Sequence, residues 1–540
     1  MAYVLMWLEA LAFSLLLPAT VMAWTGRFRR VGLGRAAVAG ASALPLLIVG
    51  LLTIVCGYVR FAHNVAPSLF FPLLALTVAY MVGITWLHRS GRRAAAGADG
   101  RPASASWPAG RLAVATGVAA VLGVMTFSNA DLAARQQLAV LRAEAGAMAT
   151  SVAPTKPPDR DNAALTYGQA FEAIGPRDQM PEAWDERWRD YLDGDAAFDA
   201  NDVELRRFLD RHEPTLAMLR RAAGKAGCHF EHDYQNISWD MVIDEFGNMR
   251  RAGKLVALHA RSRLAGGDVV GAMEDVDTMF AMADHIGSGS MLIGVLMAYV
   301  IDYYAFGTLE LAVAGGKVTA EAAASVRIDS TVSYRRMLER AYRMEEAARL
   351  ATFCMMDGRE AGSAPEPTGL GLPRDALALY RVFLLSEDLA SHYRLSAEGR
   401  RLAAMPYHKA RDGFDWSEEQ LAGGPMGLLT RMLFPALSAV SERGARGDAH
   451  RGLIRLALAA VRYRAKHGRF PAEPAELAPE FILAIPRDPY DGKVMRLKRT
   501  DSGIVFYSIG PDTVDDGASP FNDKEKTGDV TFTVPEGADR

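Results

Sequence analysis

The chain has 540 residues, half of them apolar, and sets 60 Lys and Arg against 63 Asp and Glu. That length exceeds one ordinary domain, and the near-neutral balance leaves no electrostatic footprint for a nucleic-acid partner. The apolar residues gather in the first quarter, so a membrane is in play.

Four apolar segments occupy that quarter: about Ala2 to Trp24, Ala36 to Val59, Val65 to Leu87 and Leu112 to Phe127. Each is long enough, or nearly so, to cross ~30 Å of hydrocarbon, and residues 1–130 are read as a four-helix transmembrane anchor. Arg27, Arg29, Arg30 and Arg35 lie between the first two segments, and Arg89, Arg92, Arg93, Arg101 and Arg111 between the last two. The excess of arginine marks these loops as cytoplasmic and places everything after residue 130 outside, in the periplasm of a bacterial inner-membrane protein. No Lys or Arg precedes the first apolar run, so a retained helix is expected there and not a cleaved signal peptide. Glu9 is expected near the outer interface, where it stays hydrated.

After the anchor, "ADLAARQQLAVLRAEAGAMA" predicts an amphipathic stalk helix with Leu132, Leu138 and Leu141 inward, and "TSVAPTKPPDRDN" predicts a linker, together residues 131–162. Residues 163–448 read as an exported α-helical domain. Within it, "LVALHARSRLAGGDVVGAMEDVDTMFAMADHI" carries Ala260, Gly267 and Ala272 at the spacing of a tetratricopeptide-like helical hairpin. "NAALTYGQAFEAI" has a similar pattern, so an irregular helical-repeat domain that binds another protein is expected. "REAGSAPEPTGLGLP", Arg359 to Pro373, predicts a loop between two helices.

Catalytic signatures are missing from the sequence: it has no phosphate-cradling Gly-rich loop with Lys-Ser/Thr, no Gly-x-Ser-x-Gly and no His-Glu-x-x-His. "CHFEHDY" offers Cys228, His229, His232 and Asp233 as metal ligands but no second ligand segment, and reads as a surface loop closing the helix "LAMLRRAAGKAG". "IGSGS", Ile286 to Ser290, reads as a turn. Cys228 and Cys354 fall in the exported part, where they either pair or stay buried as thiols. Asp240, Asp244 and Glu245 in "SWDMVIDEFGN" are the best material for a hydrolase's paired carboxylates, a spacing that a solvated helix face also gives.

Residues 449–540 change character, with an amphipathic helix in "GLIRLALAAVRYRAKHGRFPAEPAELAP" that ends at Gly468 before Phe470-Pro471, a Gly-turned hairpin "PRDPYDGKVMRLKR", a strand "GIVFYSIG" and the acidic "PDTVDDG". The run Y-x-x-x-x-G-x-F-P, D-P-Y-D-G-K and Y-S-I-G-P-D resembles the globular part of the major pseudopilin of bacterial type II secretion, the G-type subunit. The resemblance implies a small α+β domain with a helix on an antiparallel sheet and a Ca²⁺ site in the loop after the penultimate strand. By position it implies Asp512 and Asp529 as ligands, Asp515 and Asp516 in the intervening loop, and the carbonyl of Ile509. The alternative is a solvated turn with Asx-type bonding. Pseudopilins begin with a processed leader and one membrane helix continuous with the globular helix, whereas this anchor is of another kind.

The whole chain resembles uncharacterised multi-pass bacterial envelope proteins. The expectation is therefore a non-enzymatic, membrane-anchored envelope protein whose exported region binds a protein partner or secreted substrate, with a calcium-stabilised tail. The alternatives are an accessory of a type II secretion or pilus-like system and, last, an envelope polymer hydrolase.

Overall fold

The computed structural model describes residues 107–540 apart from 176–187, 194–197, 200, 238–242, 290, 329–331, 358–373, 424–426, 435–436, 523 and 538–540. The first three expected membrane spans, their arginine loops, Glu9, Asp240 and the Arg359 to Pro373 loop lie outside the described residues. The protein is mainly helical with one small sheet, as the composition of its middle and tail implied. The chain divides into two compact units: Met1–Val140, Cys354–Tyr393 and Gly424–Met432, and Leu141–Phe353, Arg394–Gly423 and Leu433–Arg540.

Helix α1, Trp107–Val152, contains the fourth expected span and runs without a break into the expected stalk. Its buried stripe is Ala134, Leu138, Leu141, Ala145 and Ala149, while Leu132 is exposed, so the apolar face is set by alanines that the leucine pattern did not mark. In the first unit Asp131 accepts hydrogen bonds from Arg135 (2.9 Å) and Arg381 (2.7 Å). Burial opposes its charge, but those two guanidinium groups hold its carboxyl below the ordinary range. In α10, Arg374–Phe383, Tyr380 donates to Asp388 of α11, Leu385–Ala403. Asp388 also accepts from the backbone N–H groups of Leu429 and Thr430, satisfying the first turn of α13, Leu428–Leu433.

In the second unit, α2 (Ala163–Ile174) is capped by the Asn162 side chain and packs on α4, Val203–Ala223. Short α3, Arg189–Asp193, lies against α5, Asp244–Ala265. Helix α5 turns through Gly267, at φ +87°, into α6, Val269–Gly287. Ala260 and Ala272 are fully buried at 0 % exposure, the close approach that the hairpin pattern required. Helix α7, Leu292–Ala314, packs on both and is the one helix whose described residues are long and apolar enough to cross a membrane. It serves as a core helix, since 61 % of that apolar window is buried among its neighbours. Helices α8 (Ala320–Ser325), α9 (Tyr334–Cys354) and α12 (Tyr407–Gly423) complete the layer.

Helix α14, Leu437–His467, joins this layer to the sheet, and the expected domain boundary at residue 449 falls inside it. Strands β1 (Arg496–Thr500), β2 (Gly503–Ser508) and β3 (Val530–Pro535) form an antiparallel sheet in that order. Phe506 pairs with Phe532 and Ile504 with Val534, which puts these four buried side chains on one face. Helix α14 packs on β2 and β3, and α7 reaches β3 as well, so the tail shares a unit with the helical middle.

Two glycines separate close packing from mere helix softening. A Cβ on Gly447 of α14 would lie 2.5 Å from the Tyr334 ring, whereas one on Gly247 of α5 meets nothing within 4 Å. Gly447→Ala should destabilise the chain by about 1–3 kcal/mol through overpacking, and Gly247→Ala should stabilise it by about 0.5–1 kcal/mol. Denaturant midpoints of the full chain check both, and equal shifts would remove the close contact between α14 and Tyr334.

Candidate functional site

The tail turns on Asp488, the first Asp of the D-P-Y-D-G-K run, which is 1 % exposed. Its carboxylate accepts from Ser508 Oγ (2.8 Å), Ile509 N (2.9 Å), Tyr490 N (2.9 Å) and Arg496 Nη1 (3.1 Å). One buried carboxylate thus ties the hairpin turn to the end of β2, joining the two motifs that carried the pseudopilin resemblance. Arg496 continues outward to Asp491 (2.5 Å) and Asp515 (3.0 Å), giving each of three acids part of one cation.

The five residues expected to bind a cation all lie around this end of β2. Ile509 is buried, with its N–H on Asp488. Asp512 accepts from Val514 N (3.1 Å) and Gly528 N (2.8 Å), and so closes the loop on itself. Asp515 accepts from Gly517 N and pairs with Arg496, while Asp516 is exposed. Asp529 is 0 % exposed and accepts from Ala518 N (2.6 Å) and Asp516 N (3.4 Å). Burial, together with the charges of Asp515 and Asp516, pushes its carboxyl above the ordinary range.

Among the described residues, no three His, Cys, Asp or Glu side chains are grouped as a metal ion requires. The side chains present there are carboxylates, and the buried Asp529 is in none of the described ion pairs.

A second site was not anticipated. The "CHFEHDY" segment is a partly buried strap, not a surface loop. Asn162 holds it by accepting from His229 N (2.9 Å) and donating to His229 O (3.0 Å), and Ala163 N donates to Gly227 O (2.8 Å). Beneath the strap is a cavity of about 20 Å³, room for a water or two, lined in part by Cys228, His232, Tyr234, Glu245, His285 and Met291.

Most of the polar groups there already have partners. His232 Nε2 lies 2.6 Å from Glu245 Oε1. His285 Nε2 faces the Lys225 carbonyl at 3.1 Å and must donate to it, so its Nδ1 accepts from Tyr167 Oη at 2.9 Å. Burial pulls His285 down to about 4, which keeps it neutral. Burial and then the Glu245 charge push the Cys228 thiol up to about 12, so the sulfur is held protonated. Asp233, offered by the sequence as a ligand, caps the short 3₁₀ turn Tyr234–Asn236 instead. Asp244 opens α5 and does not share the cavity with Glu245.

Cys228 and Cys354 are not joined to each other, which corrects the pairing held open by their exported location. Cys354 is a buried thiol donating to the Leu138 carbonyl at 3.3 Å, and Cys228 belongs to the strap.

No protein-family model, curated protein or solved structure matches this chain.

Asp488→Ala leaves Ser508 and two buried backbone N–H groups without their acceptor and takes one of three acids from Arg496, and should cost about 3–5 kcal/mol. Asp512→Ala, at a partly exposed turn, should cost about 1 kcal/mol or less. Hydrogen exchange at β2 and β3 in the full chain measures both, and equal losses of protection would strip Asp488 of its central place.

Proposed function

We propose that the protein is a multi-pass, membrane-anchored envelope protein whose exported helical region holds another envelope protein and whose pseudopilin-like tail is stabilised by calcium. The observation that carries the binding role is an apolar stripe on α7. Ile293, Tyr303 and Leu311 are 47 %, 44 % and 49 % exposed. Leu296, Met297 and Val300 fill the same face at helical spacing and are half-buried, and the Arg261 guanidinium lies against Gly307. A stripe this continuous on an otherwise buried helix is what a partner's apolar face covers.

The charge on α7 selects the kind of partner. Its 23 residues include Asp302 and Glu310 but no Lys or Arg, so an anionic lipid surface has nothing to attract it. The occupant is a helix of a second protein, with an apolar face and basic flanks toward Glu310. The anchor supporting this placement is the four-span reading of residues 1–130, of which α1 contains the last span.

Calcium enters through Asp529. A buried carboxylate with Asp515 and Asp516 nearby is relieved by a bound cation, with Asp512 and the Ile509 carbonyl as further oxygen donors.

A photo-crosslinking residue at Ile293 or Leu311 in the full chain in its native membrane should give an adduct with one other protein. The same residue at exposed Glu321 of α8 should not. Adducts only with lipid or with a second copy, or none, would overturn the binding role.

Calcium at about a hundred times its Kd should stabilise the tail by about 2.7 kcal/mol, read as slowed exchange at β2 and β3. Asp529→Asn should abolish the effect and magnesium should reproduce it poorly. No change at millimolar calcium would leave the loop a solvated turn.

A further inference from the structure

Where α14 crosses the helical layer, four elements meet on one guanidinium. Arg451 of α14, 2 % exposed, donates through Nε to Asp302 of α7 at 2.6 Å. It also lies 3.0 Å from Asp284 of α6 and donates to the Val332 carbonyl at 2.5 Å. The ring of Tyr334, at the start of α9, sits 4.9 Å from the guanidinium carbon, and its hydroxyl donates to Asp302 at 2.8 Å. Asp448, one turn before Arg451, accepts from the backbone N–H groups of Tyr334 (2.9 Å) and Arg335 (3.4 Å). Asp284 accepts from Val332 N at 3.0 Å.

Charge does not balance here. Among the described residues, three carboxylates, Asp284, Asp302 and Asp448, face two cations, Arg451 and Arg455, the second of which donates to the Ile328 carbonyl at 2.9 Å while its charge acts on Asp448. Asp302 Oδ1 and Arg451 Nη2 are buried without a hydrogen bond, and the buried Asp284 Oδ1 has the 3.0 Å ion pair with Arg451. Flanking titratable groups turn elsewhere: His285 is bonded to Tyr167 and Lys225, His450 stacks edge-on against Phe306, and Asp277 pairs with Arg327. A cluster with excess buried negative charge and an oxygen left without a donor is arranged to hold a proton.

We propose that the Asp284–Arg451–Asp302 cluster is a proton-operated clamp, which holds α14, and through it the tail sheet, most tightly onto the helical layer when the cluster has taken up one proton. The proton resides on Asp284, the acid of the pair that retains some access to solvent, with 18 % of its side chain exposed against none for Asp302. Burial and then the Asp302 charge raise its carboxyl to about 6, against the pull of Arg451 and the Val332 N–H.

The sign follows by linkage. A carboxyl raised in the fold from an ordinary value near 4 keeps its proton while the unfolded chain gives it up, so stability falls as pH rises from about 4 to about 6 and is level above. Acids held low elsewhere, such as Asp131 and Asp491, contribute the opposite slope below about 4. A difference between variants isolates the clamp.

Hydrogen exchange of the full chain, corrected for intrinsic rates, should show protection of α14 amides dropping about tenfold between pH 5 and pH 7. Asp284→Asn should remove that dependence relative to the wild type, and Asp277→Asn, on the same helix, should keep it. Protection that does not change with pH in the wild type, a dependence that survives Asp284→Asn, or one lost in Asp277→Asn would each overturn the clamp. Infrared titration of the wild type needs no variant: a buried carboxyl band should vanish with a midpoint near 6, and its absence across that range would also overturn the proposal.

Discussion

The second unit depends on one desolvated cation. Placing Arg451 at 2 % exposure costs several kcal/mol of lost hydration, and the fold tolerates it only because Asp302 and Asp284 converge from two other helices. Each contact fixes a different freedom. The bond to Asp302 sets the height of α14 along α7, the bond to the Val332 carbonyl fixes the entry to α9, and Tyr334 closes the face of the guanidinium. An apolar residue at 451 would fill the space but would leave Asp302 and Asp284 without their cation, so the residues conserve one another by energetics alone.

The position of α14 in turn decides that of the sheet. Helix α14 carries Leu453, Leu456, Ala457 and Ala460, all at or below 1 % exposure, along the side that meets the helical layer and strands β2 and β3. Tyr490 of the hairpin turn donates to Glu442 and stacks edge-on with Tyr407 of α12, so the turn organised by Asp488 is also held by the helices. The tail is therefore built into a larger unit, and its boundary in sequence does not mark a boundary in structure.

Much of the architecture was legible where a local rule fixes it. The α5–α6 hairpin followed from small residues and a turn glycine, the end of α14 from Gly468, and β2 from its apolar run into Gly510. What was not legible lies at long range. The strap to which Cys228 belongs is held by Asn162, 67 residues before His229, and Tyr167, the partner of His285 beside the cavity, is 118 residues from it. Asp302 and Arg451 are 149 residues apart in helices with no polar motif to announce them. Charged residues in amphipathic patterns read as solvated faces, and only packing shows which were desolvated. Leu132 erred in the other sense, because a leucine stripe looks inward whether or not a neighbour covers it.

Acidity in the sequence also proved a poor guide to where charge matters. The conspicuous run Asp512, Asp515 and Asp516 bonds mainly to its own loop or faces water. The influential acids are the ones buried singly: Asp302 in an apolar helix, Asp388 in α11 facing the first turn of α13, and Asp488 in a turn, each at or below 1 % exposure. The physical reason is that neighbouring carboxylates repel and keep one another hydrated, whereas a single carboxylate among apolar residues can be desolvated if three or four donors meet it. Asp529 belongs to both groups. It is buried like the isolated acids, yet it lies under the field of the loop, and its two backbone donors are neutral. That unresolved charge makes it the point in the tail at which a cation would change stability most.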